Sequence, residues 1–147
     1  MTAQPRLFIA SESSVAGQAM ASHLPNRNLV LVVDDDRMML RAIERLLHQF
    51  GYDSLLFESA AAFEEYNNFE KATCMILDIN LNGESGIDLR NRLKEAGVSV
   101  PVIYITGNDG PAVRAAAEKS GCLAYVKKPF AVQSLIEPLK RASTATP

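Results

Sequence analysis

This chain of 147 residues has few cysteines, no long apolar run and no surplus of basic charge. The two cysteines, Cys74 and Cys122, lie far apart without a CxxC spacing, which excludes a disulfide scaffold and the usual kind of zinc site. The longest apolar run, Leu29–Val33, is far shorter than the ~20 residues of a membrane helix. Lys and Arg number 15 against 17 for Asp and Glu, which excludes a generally basic surface built to grip a phosphate backbone.

The chain has the length of one domain, since single domains run to ~100–200 residues. We expect residues 28–143 to form that domain and residues 144–147 to be a short tail. Residues 1–27 are rich in Ser, Ala and Gln, which favours a flexible extension. The apolar stretch at 7–10 is too short for the ~7–15-residue core of a secretion signal, so we expect a cytoplasmic protein.

Short apolar stretches alternate with helical patterns along the rest of the chain. Strands are predicted at 29–33, 53–57, 74–77, 100–105 and 123–127, and helices at 39–50, 59–67 and 86–96 and from Pro111 and Ala131 onward. The first strand is apolar at every position, as is typical of a strand buried on both faces of a parallel sheet. The alternation predicts an α/β domain with a mostly parallel sheet. Pro138 should kink or end the last helix.

Polar side chains stand at the ends of the predicted strands. Asp34 and Asp35 follow the first strand, Asp78 the third, Thr106 the fourth and Lys128 the fifth. Ligands of open parallel sheets bind outside the carboxyl ends of the strands, so we expect one shared pocket. Unit charges ~4 Å apart at an effective dielectric of ~20 interact by ~4 kcal/mol, so the carboxylates require a proton or a divalent cation. Hard oxygen ligands with access to water suit Mg²⁺.

The same pocket suits the chemistry of a phosphoryl group. Asp78 is a possible nucleophile, because aspartate can form an acyl phosphate. Lys128 and a bound cation would neutralise phosphoryl oxygens, and the Thr106 hydroxyl could donate to one of them.

Four motifs resemble those of the receiver domain of two-component response regulators. They are LVLVVDDD at 29–36, MILDINLNGESG at 75–86, VIYITG at 102–107 and YVKKPF at 125–130. Each motif alone is weak evidence for this family, whereas four motifs in this order, each at the end of a predicted strand, are a specific signal. The resemblance spans about residues 29–140. It implies a flavodoxin-like, doubly wound sheet of five parallel strands in the order 2-1-3-4-5, and a cis peptide bond between Lys128 and Pro129.

The resemblance also implies how the acceptor and the metal are held. Asp78 would take a phosphoryl group from a phosphohistidine on a partner histidine kinase or phosphotransfer protein. Mg²⁺ would be bound by Asp78 and Asp35, by Asp34 through water, and by the backbone carbonyl of Asn80.

Three further residues would carry the response to phosphorylation. Lys128 would pair with the phosphoryl group, Thr106 would swing toward it, and Tyr125 would move inward into the space that Thr106 leaves. The surface of the fourth helix, fifth strand and fifth helix would then change and engage a downstream protein partner.

The resulting hypothesis is a single-domain receiver of a phosphorelay, a signalling protein that catalyses only its own phosphorylation and dephosphorylation. We expect it to bind neither DNA nor a membrane, and to be a monomer or a phosphorylation-dependent dimer. One alternative is a pseudo-receiver, which would have a degraded site. Another is a magnesium-dependent phosphatase with an aspartyl nucleophile, but haloacid-dehalogenase-type enzymes need a second acid where Asn80 stands. A nucleotide-binding domain would need a glycine-rich loop that is absent after the first strand.

Overall fold

A computed structural model describes residues 6–8 and 28–145 of the chain. The strands are β1 (Arg6–Phe8), β2 (Leu29–Val33), β3 (Asp53–Phe57), β4 (Cys74–Asp78), β5 (Asn80–Leu81), β6 (Glu84–Ser85), β7 (Val102–Thr106) and β8 (Ala124–Lys127). The helices are α1 (Arg37–Gln49), α2 (Ala60–Glu64), α3 (Gly86–Glu95), α4 (Pro111–Lys119) and α5 (Val132–Ala145), with a 3-10 turn at Phe69–Lys71.

Five parallel strands form the body of the main sheet. Their spatial order is β3-β2-β4-β7-β8, which is the predicted order 2-1-3-4-5. Strand β2 lies between β3 and β4 and is buried at all five positions, as its apolar sequence requires. The predicted fold class, an α/β domain with a doubly wound parallel sheet, is therefore confirmed. The implied cis peptide bond between Lys128 and Pro129 is also present.

A sixth strand, which the sequence did not predict, extends the sheet beyond β3. Strand β1 pairs with β3 in the antiparallel sense, with Arg6 opposite Leu56 and Phe8 opposite Ser54. It covers an edge of β3 that would otherwise expose unpaired backbone groups. These residues fall within the predicted flexible extension, and the rest of that extension lies outside the described residues. The domain boundaries at 28 and 143 stay a prediction.

The sheet separates two hydrophobic cores, one on each face. Alternate residues of β2 serve the two faces, with Leu31 in one core and Val32 in the other. The first core contains a cluster of aromatic rings packed edge to face, with centroids 4.9–5.6 Å apart. Its members are Phe57, Phe63, Tyr66 and Phe69. The second core receives the apolar stripe of α1, in which Leu40, Ile43 and Leu47 are buried.

Side-chain caps fix where the helices around the site begin. Asp36 caps α1 by accepting from the backbone N–H of Met38 at 2.9 Å, and Ser85 caps α3 by accepting from that of Ile87 at 3.1 Å. Ser59 caps α2 by accepting from the backbone N–H of Ala62 at 3.1 Å, but α2 ends at Glu64 instead of near residue 67 as predicted.

Helix α5 continues through Pro138, so the early stop that was one of the two expected outcomes does not occur. Burial of Leu135, Ile136 and Leu139 against the sheet offsets the missing backbone donor of the proline. This helix has 14 residues. Within the described part of the chain, no helix is long and apolar enough to span a membrane.

The aromatic cluster predicts where the domain is most sensitive to truncation. Phe63 is fully buried. Phe63→Ala should therefore lower the free energy of unfolding by about 3–5 kcal/mol, through lost transfer energy and the cavity left behind. Phe50 is 41% exposed, so Phe50→Ala should change it by no more than about 0.5 kcal/mol. Urea denaturation measures both values, and equal losses would contradict the packing described here.

Candidate functional site

The carboxyl ends of β2, β4 and β8 bring four charged side chains together. Asp34 and Asp78 are buried, at 0% and 4% exposure, whereas Asp35 is exposed. Each of these three aspartates offers one carboxylate oxygen, and the three oxygens lie within 4.8 Å of one another. Lys128 follows β8 and completes the group.

Lys128 bridges the two buried carboxylates. Its Nζ donates to Oδ2 of Asp34 at 3.1 Å and to Oδ2 of Asp78 at 3.0 Å. One ammonium therefore faces two buried carboxylates, with the carboxylate of Asp35 beside them. The cluster has an excess of negative over positive groups.

Local turns hold the other oxygen of each buried carboxylate. Oδ1 of Asp34 accepts from the backbone N–H of Asp36 at 2.9 Å, and Oδ1 of Asp78 accepts from that of Asn80 at 3.0 Å. Both are bonds to a residue two positions along, the usual geometry of an aspartate turn. Each carboxylate is thus fixed at one oxygen and directs the other toward Lys128.

Burial and the neighbouring charges shift the pKa values of Asp34 and Lys128. Burial raises the pKa of Asp34 to about 7, and the charge of Asp78 adds to this, against the hydrogen bond from Asp36 and the charge of Lys128. Burial acts to lower the pKa of Lys128, but its hydrogen bond to Asp78 and the charges of both carboxylates outweigh burial and raise it. Lys128 is therefore an ammonium at neutral pH.

These residues fit a magnesium ion. The donors are hard carboxylate oxygens close enough to share one small cation, and Asp35 leaves the site open to water. A divalent cation would also favour the ionised form of Asp34, against the burial that raises its pKa. Asp34, Asp35 and Asp78 would hold the ion, and the part played by the Asn80 carbonyl stays a prediction.

The segment after Asp78 is a tight hairpin that returns the chain to α3. Strands β5 and β6 pair antiparallel, with Asn80 opposite Ser85. The turn residues Asn82 and Gly83 have φ values of 51° and 93°, which an Asn-Gly pair adopts readily. Gly86 follows, and its N–H donates to the carbonyl of Ile79 at 2.7 Å.

Gly86 is a residue of the site that sequence reasoning missed. A Cβ there would overlap the backbone carbonyl oxygen of Asp78 and lie 3.0 Å from its carbonyl carbon. Only glycine allows the start of α3 to pack this closely on the backbone of Asp78. A glycine at the first position of a predicted helix was the one available signal.

Thr106 and Tyr125 stand on the neighbouring strands. Thr106 ends β7 and is fully buried, and its Oγ1 accepts from the backbone N–H of Asn108 at 3.0 Å. Asp78 is paired with Ile105 in the sheet, so Thr106 follows at the same edge. Tyr125 lies on β8, and its hydroxyl donates to Oδ1 of Asp109 at 2.6 Å. Asp109 is a second residue that sequence reasoning missed, since an exposed loop acid gives no signal.

Comparisons with a protein-family model and with known sequences point to the same family. A protein-family model described as the response regulator receiver domain matches residues 30–140. The response regulator protein TodT of Pseudomonas putida is 30% identical over 126 residues, which cover 85% of this chain and 56% of TodT. The transcriptional regulatory protein TdiR of Thauera aromatica is 29% identical over 122 residues, which cover 83% of this chain and 54% of TdiR. The chain thus spans about half the length of these relatives.

A solved structure agrees with the fold. The crystal structure of a response regulator receiver protein from Pseudoalteromonas atlantica has a TM-score of 0.77 and 21% identity, and the match covers 81% of this chain and 99% of that one. At this identity, the likeness supports the fold alone.

The raised pKa of Asp34 predicts a pH dependence of stability. As the pH rises, the unfolded chain loses the Asp34 proton near pH 4, whereas the folded chain keeps it until about pH 7. Unfolding between these two pH values therefore releases a proton. Without Mg²⁺, the free energy of unfolding should fall as pH rises through this window. Asp34→Asn should flatten the fall, and Asp88→Asn, an exposed acid on α3, should leave it unchanged. An unaltered slope in Asp34→Asn, measured by urea denaturation, would show that Asp34 is ionised throughout.

The close approach at Gly86 predicts a second effect on stability. Gly86→Ala should cost about 2–3 kcal/mol, because the added methyl group must push the backbone of Asp78 away. Gly110→Ala serves as the control, since a Cβ there meets no atom within 4 Å, and should cost less than about 1 kcal/mol. Denaturant unfolding measures both changes, and a neutral Gly86→Ala would disprove the close contact.

Proposed function

The chain belongs to the response regulator receiver family, and from this premise we propose that it accepts a phosphoryl group on Asp78. The observation that carries the proposal is the bridged acid cluster. Asp78 is buried, its Oδ2 lies 3.0 Å from the Lys128 ammonium, and two further carboxylates offer oxygens within 4.8 Å. This arrangement supplies a nucleophile, a fixed cation and a set of metal ligands at one edge of the sheet.

The donor would be a phosphohistidine on a partner histidine kinase or phosphotransfer protein. A carboxylate oxygen of Asp78 attacks phosphorus, a P–O bond forms, the P–N bond to the imidazole breaks, and the imidazole nitrogen regains a proton from solvent. Lys128 moves its hydrogen bond from the carboxylate to a phosphoryl oxygen. Asp35, Asp78 and the Asn80 carbonyl would hold Mg²⁺ directly and Asp34 would hold it through water, and the ion would supply positive charge against the transferring group.

Phosphorylation would shift the domain between two arrangements. Thr106 exchanges its hydrogen bond with the Asn108 amide for one to the phosphoryl group, and Tyr125 moves inward behind it. A change from 1:99 to 99:1 needs ~5.5 kcal/mol of preference. Hydrogen bonds to charged groups contribute ~1.5–3 kcal/mol each, so two or three of them would contribute ~3–9 kcal/mol, a range that includes this preference.

The output of this switch is a protein surface. It comprises α4, β8 and α5, which we expect to bind a downstream protein partner. We also expect a cytoplasmic signalling protein that binds neither DNA nor a membrane, and that is monomeric or dimerises on phosphorylation. TdiR, named a transcriptional regulatory protein, is about twice as long as its match to this chain, so transfer of the signal to an attached DNA-binding segment is the competing possibility.

The two alternatives to a working receiver make different demands on the site. A pseudo-receiver needs no acceptor, whereas here the acceptor, the acids and the lysine lie in contact. A phosphatase of the haloacid-dehalogenase type needs a second acid two residues after its nucleophile, where this chain has an exposed Asn80.

A direct test is the intact mass of the protein after incubation with Mg²⁺ and acetyl phosphate. The wild type should gain one phosphoryl group, Asp78→Asn should gain none, and the exposed control Asp88→Asn should behave as the wild type. Labelling of Asp78→Asn at the wild-type yield would overturn the assignment. If no adduct accumulates in the wild type, phosphate release separates a fast self-hydrolysing receiver, which consumes the donor, from a pseudo-receiver, which does not.

A further inference from the structure

Asp109 lies in the loop between β7 and α4, and three donor groups face its carboxylate. Its Oδ1 accepts from the hydroxyl of Tyr125 at 2.6 Å, and its Oδ2 lies 3.2 Å from Arg114 Nη2 and 3.6 Å from Lys127 Nζ. The guanidinium carbon of Arg114 also lies 4.5 Å from the centroid of the Tyr125 ring. Tyr125 is therefore held at its hydroxyl by Asp109 and over its ring by Arg114.

A second hydrogen bond connects the same loop to Thr106, beside the acceptor site. The backbone N–H of Asn108 donates to the buried Oγ1 of Thr106 at 3.0 Å. Asn108 immediately precedes Asp109, so two hydrogen bonds at adjacent residues fix the hydroxyls of Thr106 and Tyr125. A movement of either hydroxyl away from its partner would break one of these bonds and free the loop at one of the two residues.

We propose that the Asp109 carboxylate is a positioning residue that holds Tyr125 outward, and so sets how readily the site takes up a phosphoryl group. The inference rests on the proposed function and deepens it, because it names what opposes the switch in this chain. Asp109 does not touch the acceptor. It acts through Tyr125 and through the loop that it shares with Thr106.

The chemistry of the bond supports this role. The hydrogen bond from Tyr125 is the largest cause that lowers the pKa of Asp109, so the carboxylate is ionised at neutral pH. Burial, together with this bond, raises the pKa of Tyr125 to about 12, so its hydroxyl keeps the proton that it donates. A neutral hydroxyl on a carboxylate is a charge-assisted bond, which is stronger than one between neutral groups.

Binding of beryllofluoride with Mg²⁺, a stable mimic of an aspartyl phosphate, measures the effect in the full chain. Asp109→Ala should tighten the apparent affinity by about 3- to 10-fold, because the competent arrangement becomes more populated. In a Tyr125→Phe background, the same substitution should change the affinity by less than about twofold, because the hydroxyl that Asp109 holds is absent. Asp88→Ala, another surface acid, should have no effect.

The outcomes separate this inference from the proposed function. If the wild type binds beryllofluoride and Asp109→Ala binds it with the same affinity, the role of Asp109 is overturned and Asp78 remains the acceptor. Equal tightening by Asp109→Ala in both backgrounds would also overturn it, because the effect would not pass through Tyr125. Wild type that fails to bind beryllofluoride would overturn both. Superimposable circular dichroism spectra for all variants exclude misfolding as the cause.

Discussion

The contact of one ammonium with two buried carboxylates is the interaction on which this domain's chemistry depends. Asp34 and Asp78 end adjacent strands, and Lys128 enters from the far edge of the sheet, so the pairing exists only when the whole sheet is assembled. Removing a partner from such a buried pair leaves an uncompensated charge, which is strongly destabilising. Even intact, the group holds more carboxylates than ammonium groups, and burial keeps the pKa of Asp34 high. A cluster that is satisfied structurally yet short of cations is suited to receive a metal ion.

The sequence predicted this cluster for a simple geometric reason. Parallel strands end at a common edge, so residues at strand ends meet whatever their separation along the chain. Contacts that depend on distances between loops and backbones were not predictable in this way. The overlap between Gly86 and the Asp78 carbonyl, and the bond between Asp109 and Tyr125, need the hairpin and the β7–α4 loop in place. The continuation of α5 through Pro138 likewise depends on tertiary packing, which outweighs local propensity.

The two edges of the main sheet differ in a way that bears on function. At one edge, β1 pairs with β3 and occupies its outer hydrogen-bonding groups. At the other edge, β8 pairs with β7 and with no other strand among the described residues, and it carries both Tyr125 and Lys127. A strand bonded on one side has fewer ladder bonds to break than a central strand. Of the five parallel strands, β8 therefore has the fewest ladder bonds to break, and it lies beside Thr106, the residue proposed to respond to phosphorylation of Asp78.

The expected size of the Asp109 effect decides whether this residue can block the proposed switch or only bias it. Full switching from 1:99 to 99:1 requires a ~10⁴-fold preference for one arrangement. Asp109, Arg114 and Lys127 are partly open to solvent, where ion pairs are weak. A bias of tenfold or less would not block a switch driven by a phosphoryl group, but it would lower the active population in the unphosphorylated chain. In the proposed switch, the loop would therefore set the threshold, while the hydrogen bonds of Thr106 and Lys128 to the phosphoryl group would supply the driving force.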